Sequence, residues 1–378
     1  MAKAAKRLID EAVEASRVVS ADVEVARLRS QLSSLKGQYK AALLAISAER
    51  ERGDAMAAFD GIKASKSPAK KPSRGKNQAT AVVLLSDWHC EERVPAETVL
   101  DKNFFDLEVA DRRIAELSDR FEMLIHHERH LAKIDRIVIA ALGDFISNII
   151  HEDTAELAQL SPQDATLFAG QRLRSIIDRA ARLADEVVVV TSVGNHGRTT
   201  MKPRIATESS HSFEQMLYRM MASQEMNKNV SWQIGEGYLN VVDLDGYKIA
   251  FHHGHGIRGN VHTGATKAIA QWQKTYPVDF HCFGHHHQFA YCRGKYLSNG
   301  SLIGYNGYAL RFGLLAEAPC QSLAVVCHDR REITRAIPIF CDRDLQEATK
   351  CQRSTAVMSS ASSKRTASFE SKSKKDWR

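Results

Sequence analysis

No run of apolar residues approaches the roughly 20 needed to cross a bilayer, and the opening MAKAAKRLIDEAVEAS lacks the apolar centre of a secretory signal. Neither a membrane partner nor export is therefore expected, and the expected compartment is the cytoplasm. Seven cysteines, at 90, 282, 292, 320, 327, 341 and 351, make an odd number with no C-x-x-C pair. That pattern argues against a disulfide framework and against a thiolate zinc site. The H-E-x-x-H order is missing too: His126 and His130 stand four apart in HHERH, and a solvated helical face accounts for them. What remains is a chain of 378 residues, 44% hydrophobic and 26% charged, able to bury one large core or two modest ones.

The formal charge of +7 is concentrated in two places. Lys63, Lys66, Lys70, Lys71, Arg74 and Lys76 contribute +6 with no acid between them, and Cys351 to Arg378 contributes +5, which leaves the remainder at about −4. Basic arms of this kind attract a polyanion by counterion release, so nucleic acid is an expected partner; solubilising linkers are the alternative. Residues 1–55 read as a helix, with Val18, Val25, Leu32, Tyr39 and Ile46 recurring every seven positions. The expectation is a coiled coil able to make a homo-oligomer, or a lone amphipathic helix. Residues 56–78 read as a basic flexible linker, 79–345 as the globular domain and 346–378 as a disordered Ser/Lys-rich tail.

The domain is organised around Ile137 to Asp144, IVIAALGD, an apolar run that stops at Gly-Asp. This is the pattern of a strand buried on both faces that ends in a polar turn. Ala81 to Leu85 likewise runs into Ser86-Asp87-Trp88-His89, and Val187 to Val190 leads on to Gly194-Asn195-His196. Helical stretches at 104–132 and 166–184 separate these strands, which predicts a parallel β-α-β-α-β beginning. A further helix near 210–222 precedes a hairpin centred on Asp245-Gly246 and later strands at 280–283, 322–328 and 333–340, so antiparallel pairing is expected in the second half. Ligands collect outside the carboxyl ends of strands in such sheets, where Asp87, His89, Asp144, Asn195 and His196 can converge.

Histidine carries the chemistry. Of sixteen, six lie in HHGH at 252–255 and GHHH at 284–287. Packing explains such clusters poorly, because a buried imidazole must satisfy two nitrogens, whereas metal ligation uses them. Residues two apart in an extended chain face the same way, which pairs Asp87 with His89 and His285 with His287 and turns His286 elsewhere. Nitrogen and oxygen donors without cysteine suit a hydrolytic Mn, Fe, Zn or Ni centre.

The order DWH, GD, GNH, HGH, GHHH resembles the calcineurin-like metallophosphoesterases over roughly Ala79 to Phe340. The resemblance implies an α/β fold, a four-layer α/β/β/α sandwich of two mixed sheets with helices outside. It implies two divalent metal ions, with manganese the first expectation. Asp87, His89 and His287 would hold one and Asn195, His253 and His285 the other, with Asp144 bridging and taking part in catalysis. His196 would be the catalytic proton donor, and Asn195 would also touch substrate. Where the family pattern has an acid after G-N-H, this chain has Gly197, so a supporting carboxylate must come from elsewhere. Arg198 is a candidate phosphate clamp, His255 can replace His253, and Asn148 and His151 are candidates to line the cleft. FISNIIHED follows Gly-Asp without the D-R-G of the Ser/Thr protein phosphatase branch. The expected activity is hydrolysis of a nucleic acid or nucleotide phosphodiester; the alternatives are a phosphomonoesterase with the same site and a non-catalytic scaffold.

Overall fold

The structure, a computed structural model, describes residues 77–342 together with the isolated positions Leu28, Gln31 and Lys36. Apart from those positions, the heptad helix, the basic linker up to residue 76 and the tail from 346 lie outside the described residues. Contacts divide the chain into Met1–Ala57 and Ala58–Arg378, and every strand among the described residues belongs to the second unit.

The three expected parallel strands form the centre of a sheet: β1 (Gln78–Leu85), β2 (Lys133–Ala141) and β3 (Glu186–Thr191). They pair in parallel register, Val82 with Val138 and Val138 with Val188. Their apolar residues are mostly β-branched and almost all buried, as strands covered on both faces require. The first crossover is α1 (Leu107–Glu128), which starts where Asp106 accepts a hydrogen bond from the Val109 N–H. A short α2 (Glu152–Leu157) precedes the second crossover, α3 (Pro162–Leu183), which has Ser161 as its cap and proline in its first turn. After β3 comes α4 (Phe213–Ser223), capped by Ser212, and then β4 (Val230–Ile234), parallel to β3. Strand β4 has little signal in the residue pattern, because VSWQI is an edge strand with no fully buried residue.

The chain then leaves for a second sheet. Strands β5 (Asn240–Leu244) and β6 (Tyr247–His252) form the expected hairpin, whose turn residues Asp245 and Gly246 have φ of 56° and 86°. Two positive φ values in a two-residue turn match the right-handed twist of the flanking strands. The unforeseen α5 (Thr263–Thr275) crosses over to β7 (Phe280–Phe283), parallel to β6. The three-residue strands β8 (Ala290–Cys292) and β9 (Tyr296–Ser298) complete the order β5-β6-β7-β9-β8; they are too short for any periodicity to register. After α6 (Gly307–Arg311), the strands β10 (Cys320–Cys327) and β11 (Glu332–Phe340) return to the first sheet and close its order as β11-β10-β1-β2-β3-β4.

Alternation along the strands sets the layers. Val83, Leu85, Ile137 and Ile139 face Leu117, Phe121, Leu173 and Leu217 of α1, α3 and α4. The intervening Val82, Leu84, Val138 and Ala140 face Ile249, Phe251 and Phe280 of the second sheet. Ala265 and Ile269 of α5 cover that sheet's outer face against Phe283 and Tyr296. The fold is thus the expected four-layer α/β/β/α sandwich. Each fully buried Leu, Ile, Val or Phe contributes about 1.5–3 kcal/mol, so both sheet interfaces are strongly held.

The layer under α5 is less comfortable. His252 and His281 are fully buried, and none of their four ring nitrogens meets a protein partner among the described residues. Trp272 stacks on His281 at 5.7 Å, and burial pushes the His281 pKa down to about 4. The unfolded chain titrates near 6.5, so the stability attached to neutral His281 is complete above that pH and is lost as pH falls through about 4. The loss is on the order of 3 kcal/mol, at about 1.4 kcal/mol per pKa unit. Urea unfolding of His281→Phe between pH 7 and 4 should show a flatter decline than the parent; parallel declines would contradict this.

Candidate metal centre

Five strand ends deliver the site: the loops after β1, β2, β3, β6 and β7 supply Asp87 and His89, Asp144, Asn195 and His196, His253, and His285 and His287. The backbone there is unusual. Asp87, His89, Asp144, His285 and His287 have φ of 55°, 48°, 54°, 69° and 53°, the left-handed region that residues with a Cβ rarely adopt. Such conformations cost on the order of 1–3 kcal/mol each and collect where function demands a fixed side-chain direction. The expected pairing of Asp87 with His89 and of His285 with His287 is therefore met by tight turns past the strand ends and not by strand alternation. His286 does turn away, its ring 6.0 Å from that of Phe283.

Two sets of side chains can each hold a metal ion. Ligand atoms of Asp87, His89 and His287 lie within 4.8 Å of one another, as do those of Asp144, His253 and His285. Asn195 joins the second set, its Oδ1 3.1 Å from His253 Nε2, and Asp144 Oδ2 is 2.9 Å from the same nitrogen. The Leu142 carbonyl, 2.8 Å from His253 Nδ1, accepts that atom's hydrogen, which leaves Nε2 with a bare electron pair facing two oxygens. Only a cation, a proton or a metal, makes that meeting favourable. His89 is arranged the same way. Its Nδ1 lies 2.9 Å from Ser147 Oγ, whose own hydrogen goes to Glu92 Oε2 at 2.7 Å, so Nδ1 is the donor. Nε2 is then a buried acceptor without a partner among the described residues, as a metal ligand should be.

The charges agree with this chemistry. Burial alone would raise the Asp87 pKa, but the hydrogen bond and charge of His287 bring it down to about 2. Asp87 also accepts from Ser86 Oγ at 2.5 Å and from the His285 N–H at 2.9 and 3.0 Å. Burial likewise opposes ionisation of Asp144, yet His253 and His196 hold it well below the usual carboxylate range. Burial would lower His253, but Asp144 raises it to about 10. Burial, with the charges of His196 and His287, pushes His89 down to about 3, which keeps its imidazole neutral. Two ionised carboxylates among imidazoles form a donor set that divalent cations fit.

The remaining candidates are less uniform. His196 donates its backbone N–H to Asp144 Oδ1 at 2.7 Å, and its Nδ1 meets the Ser147 carbonyl at 3.0 Å, so Nε2 is the free atom. Its ring stands 4.9 Å from that of His89 and 5.8 Å from that of His151. Arg198 commits Nη1 to the Asn195 carbonyl and Nε to the Thr200 carbonyl at 3.1 Å, so much of its guanidinium is spent on its own loop. Asn148 is buried and donates to the carbonyls of His196 and Arg198 at 2.9 and 2.8 Å, which makes it a brace behind the cleft. His255 Nε2 pairs with Glu208 at 2.8 Å, so His253 is the histidine that the fold brings to Asp144.

Sequence reasoning missed Glu214. Fully buried in the first turn of α4, it accepts the Phe145 N–H on Oε1 at 2.8 Å and the Gly194 N–H on Oε2 at 2.7 Å. Burial and the nearby Asp144 charge push its pKa up to about 8, whereas the Gly194 and Phe145 N–H groups, and a cation held on Asp144, would favour the carboxylate. The one available signal was the glycine at 197, where an acid was expected.

No helix among the described residues is long and apolar enough to cross a membrane. A search of curated proteins finds no match. Solved structures with a similar course include an archaeal phosphodiesterase, at 13% identity over 68% of this chain and 99% of that one, with a TM-score of 0.33. They also include zinc-bound Vps29 of Entamoeba histolytica (15%, 68% and 99%, 0.29) and Vps29 of Chaetomium thermophilum (13%, 68% and 96%, 0.28). These likenesses are shallow. The calcineurin-like phosphoesterase profile, by contrast, matches residues 80–289, more than half of the chain and all five strand ends that carry the site. This chain belongs to the calcineurin-like phosphoesterases, a family of metal-dependent phosphoester hydrolases.

Proposed function

We propose that the protein is a dinuclear phosphodiesterase acting on nucleic acid or nucleotide diesters. The observation that carries this reading is the pair of three-residue ligand sets, each within 4.8 Å, that Asp87, His89, His287 and Asp144, His253, His285 form on loops after separate strands. One divalent ion would take Asp87, His89 and His287, and a second Asn195, His253 and His285, with Asp144 shared; manganese is the first candidate. When bound, such a pair supplies a water made acidic enough to act as nucleophile and offsets the charge of the phosphoryl group.

The chain's own groups do the rest. Asp144 fixes the relation between the two halves, since its Oδ1 takes the His196 N–H and its Oδ2 faces His253. His196 is held by the Ser147 carbonyl so that Nε2 is the atom to carry a proton to the leaving oxygen. Asn195, next to it, offers an amide to the phosphoryl oxygens. Arg198 adds positive charge beside the site while bracing its loop. The six basic residues between 63 and 76 favour a polyanionic substrate because they immediately precede β1. The odd cysteine count without a C-x-x-C pair favours a reducing cytoplasm, and a coiled coil over 1–55 would bring copies of the site together.

With Mn²⁺ added, bis-para-nitrophenyl phosphate should be hydrolysed at least about tenfold faster than para-nitrophenyl phosphate, roughly 1.4 kcal/mol in the barrier. A clear preference for the monoester would overturn the diesterase reading and favour a phosphatase.

A further inference from the structure

We infer that Glu214 is a positioning residue of this centre, the buckle that holds the turn of Asp144 against the turn of Asn195 and His196. The inference rests on the reading of these loops as a metal centre. The two turns meet very closely. A Cβ on Gly143 would lie 2.1 Å from Gly194 N, and a Cβ on Gly194 would lie 2.0 Å from Asp144 Oδ1. Two glycines thus let backbone touch backbone, and neither glycine has a side chain to tie the turns together.

Glu214 does so from a third element. It sits at the second position of α4, whose start is fixed by the Ser212 cap and by the Phe213 N–H donating to the Gly197 carbonyl at 2.8 Å. From there the carboxylate enters between the turns, one oxygen on the N–H that follows Asp144 and the other on the N–H that precedes Asn195. Two buried N–H groups are satisfied by one side chain, and each would otherwise be orphaned. The space it uses is the space of an absent side chain. A Cβ on Gly197 would come within 2.8 Å of Glu214 Cγ and Cδ and 2.9 Å of Oε2. The backbone at Gly197 is not left-handed, so conformation does not demand glycine there; room for the Glu214 carboxylate does.

Because the Glu214 carboxylate bonds to backbone N–H groups, its effect on the reaction passes through the directions of Asp144, Asn195 and His196. Misplacement of such groups by about 1 Å can cost on the order of 100-fold in rate. Glu214→Gln keeps one acceptor and turns an NH₂ toward the other N–H.

The test uses the full chain with bis-para-nitrophenyl phosphate and saturating Mn²⁺. Glu214→Gln should lose about tenfold or more in kcat per folded molecule with KM little changed, as expected when alignment and not binding is lost. Glu214→Ala should lose more. Gly197→Asp alone should be damaging, whereas Gly197→Asp combined with Glu214→Ala should recover at least about tenfold over Glu214→Ala, since a carboxylate then enters the same space from the other side. Glu214→Gln with a lowered Tm but unchanged kcat would make the residue merely structural and overturn the inference. So would a double variant that folds yet is no better than Glu214→Ala; if it fails to fold, the Glu214→Gln kinetics decide alone. A parent protein that hydrolyses neither this diester nor para-nitrophenyl phosphate with Mn²⁺ would instead overturn the proposed function.

Discussion

Asp144→Asn will lower diester turnover by on the order of 1,000-fold, about 4 kcal/mol in the barrier, with little change in fold. Asparagine preserves the shape of the side chain and removes the charge, so the loss isolates electrostatics from packing. Both oxygens are in use: Oδ1 accepts the His196 N–H and Oδ2 lies 2.9 Å from His253 Nε2. An amide nitrogen in either position would oppose an N–H or leave the second metal set without its carboxylate. The variant should bind fewer than two ions and should show near-parental circular dichroism. Turnover within about tenfold of the parent would show that Asp144 is not the shared ligand.

His196→Asn should behave differently. The residue touches Asp144 through its backbone N–H, which the substitution keeps, and its ring adjoins the first metal set without joining it. Metal content should therefore stay at the parental level while turnover falls on the order of 100-fold or more, the usual worth of a general acid. A proton donor matters most when the leaving group is basic. The loss should be larger for a dinucleotide, whose leaving group is an alkoxide, than for bis-para-nitrophenyl phosphate. An equal loss for both would assign His196 to holding the phosphoryl group, and no loss would remove it from the mechanism.

What could be read from the residues alone was set by how locally each feature is encoded. Val82 to Leu85, Ile137 to Ala141 and Val187 to Val190 announce themselves because a strand covered on both faces has no polar residue to hide it. The Asp245-Gly246 turn does so because two residues in succession must adopt positive φ. The set of seven candidate ligands came from the resemblance to the metallophosphoesterases, helped by each residue lying just past an apolar run. By contrast β8 and β9, three residues each, hold less than two periods of alternation, and the half-buried β4 has no clean one. In α5 only Gly264, Ala265 and Ile269 are buried, so its apolar stripe is too thin to stand out. The left-handed turns of Asp87, His89, His285 and His287 had no signature either, because aspartate and histidine betray a positive φ far less than glycine does. Glu214 was illegible for another reason: its partners are N–H groups of two distant loops, and no spacing encodes such a hydrogen bond.

Two ligand sets, proposed to share Asp144, should hold two ions, and counting bound metal tests this most directly. Purified protein loaded with Mn²⁺, freed of excess and analysed by inductively coupled plasma mass spectrometry should carry about two ions per chain. His89→Ala and His253→Ala, each striking one set, should carry about one. A parent chain with no bound metal, or a content that neither substitution alters, would contradict the dinuclear centre.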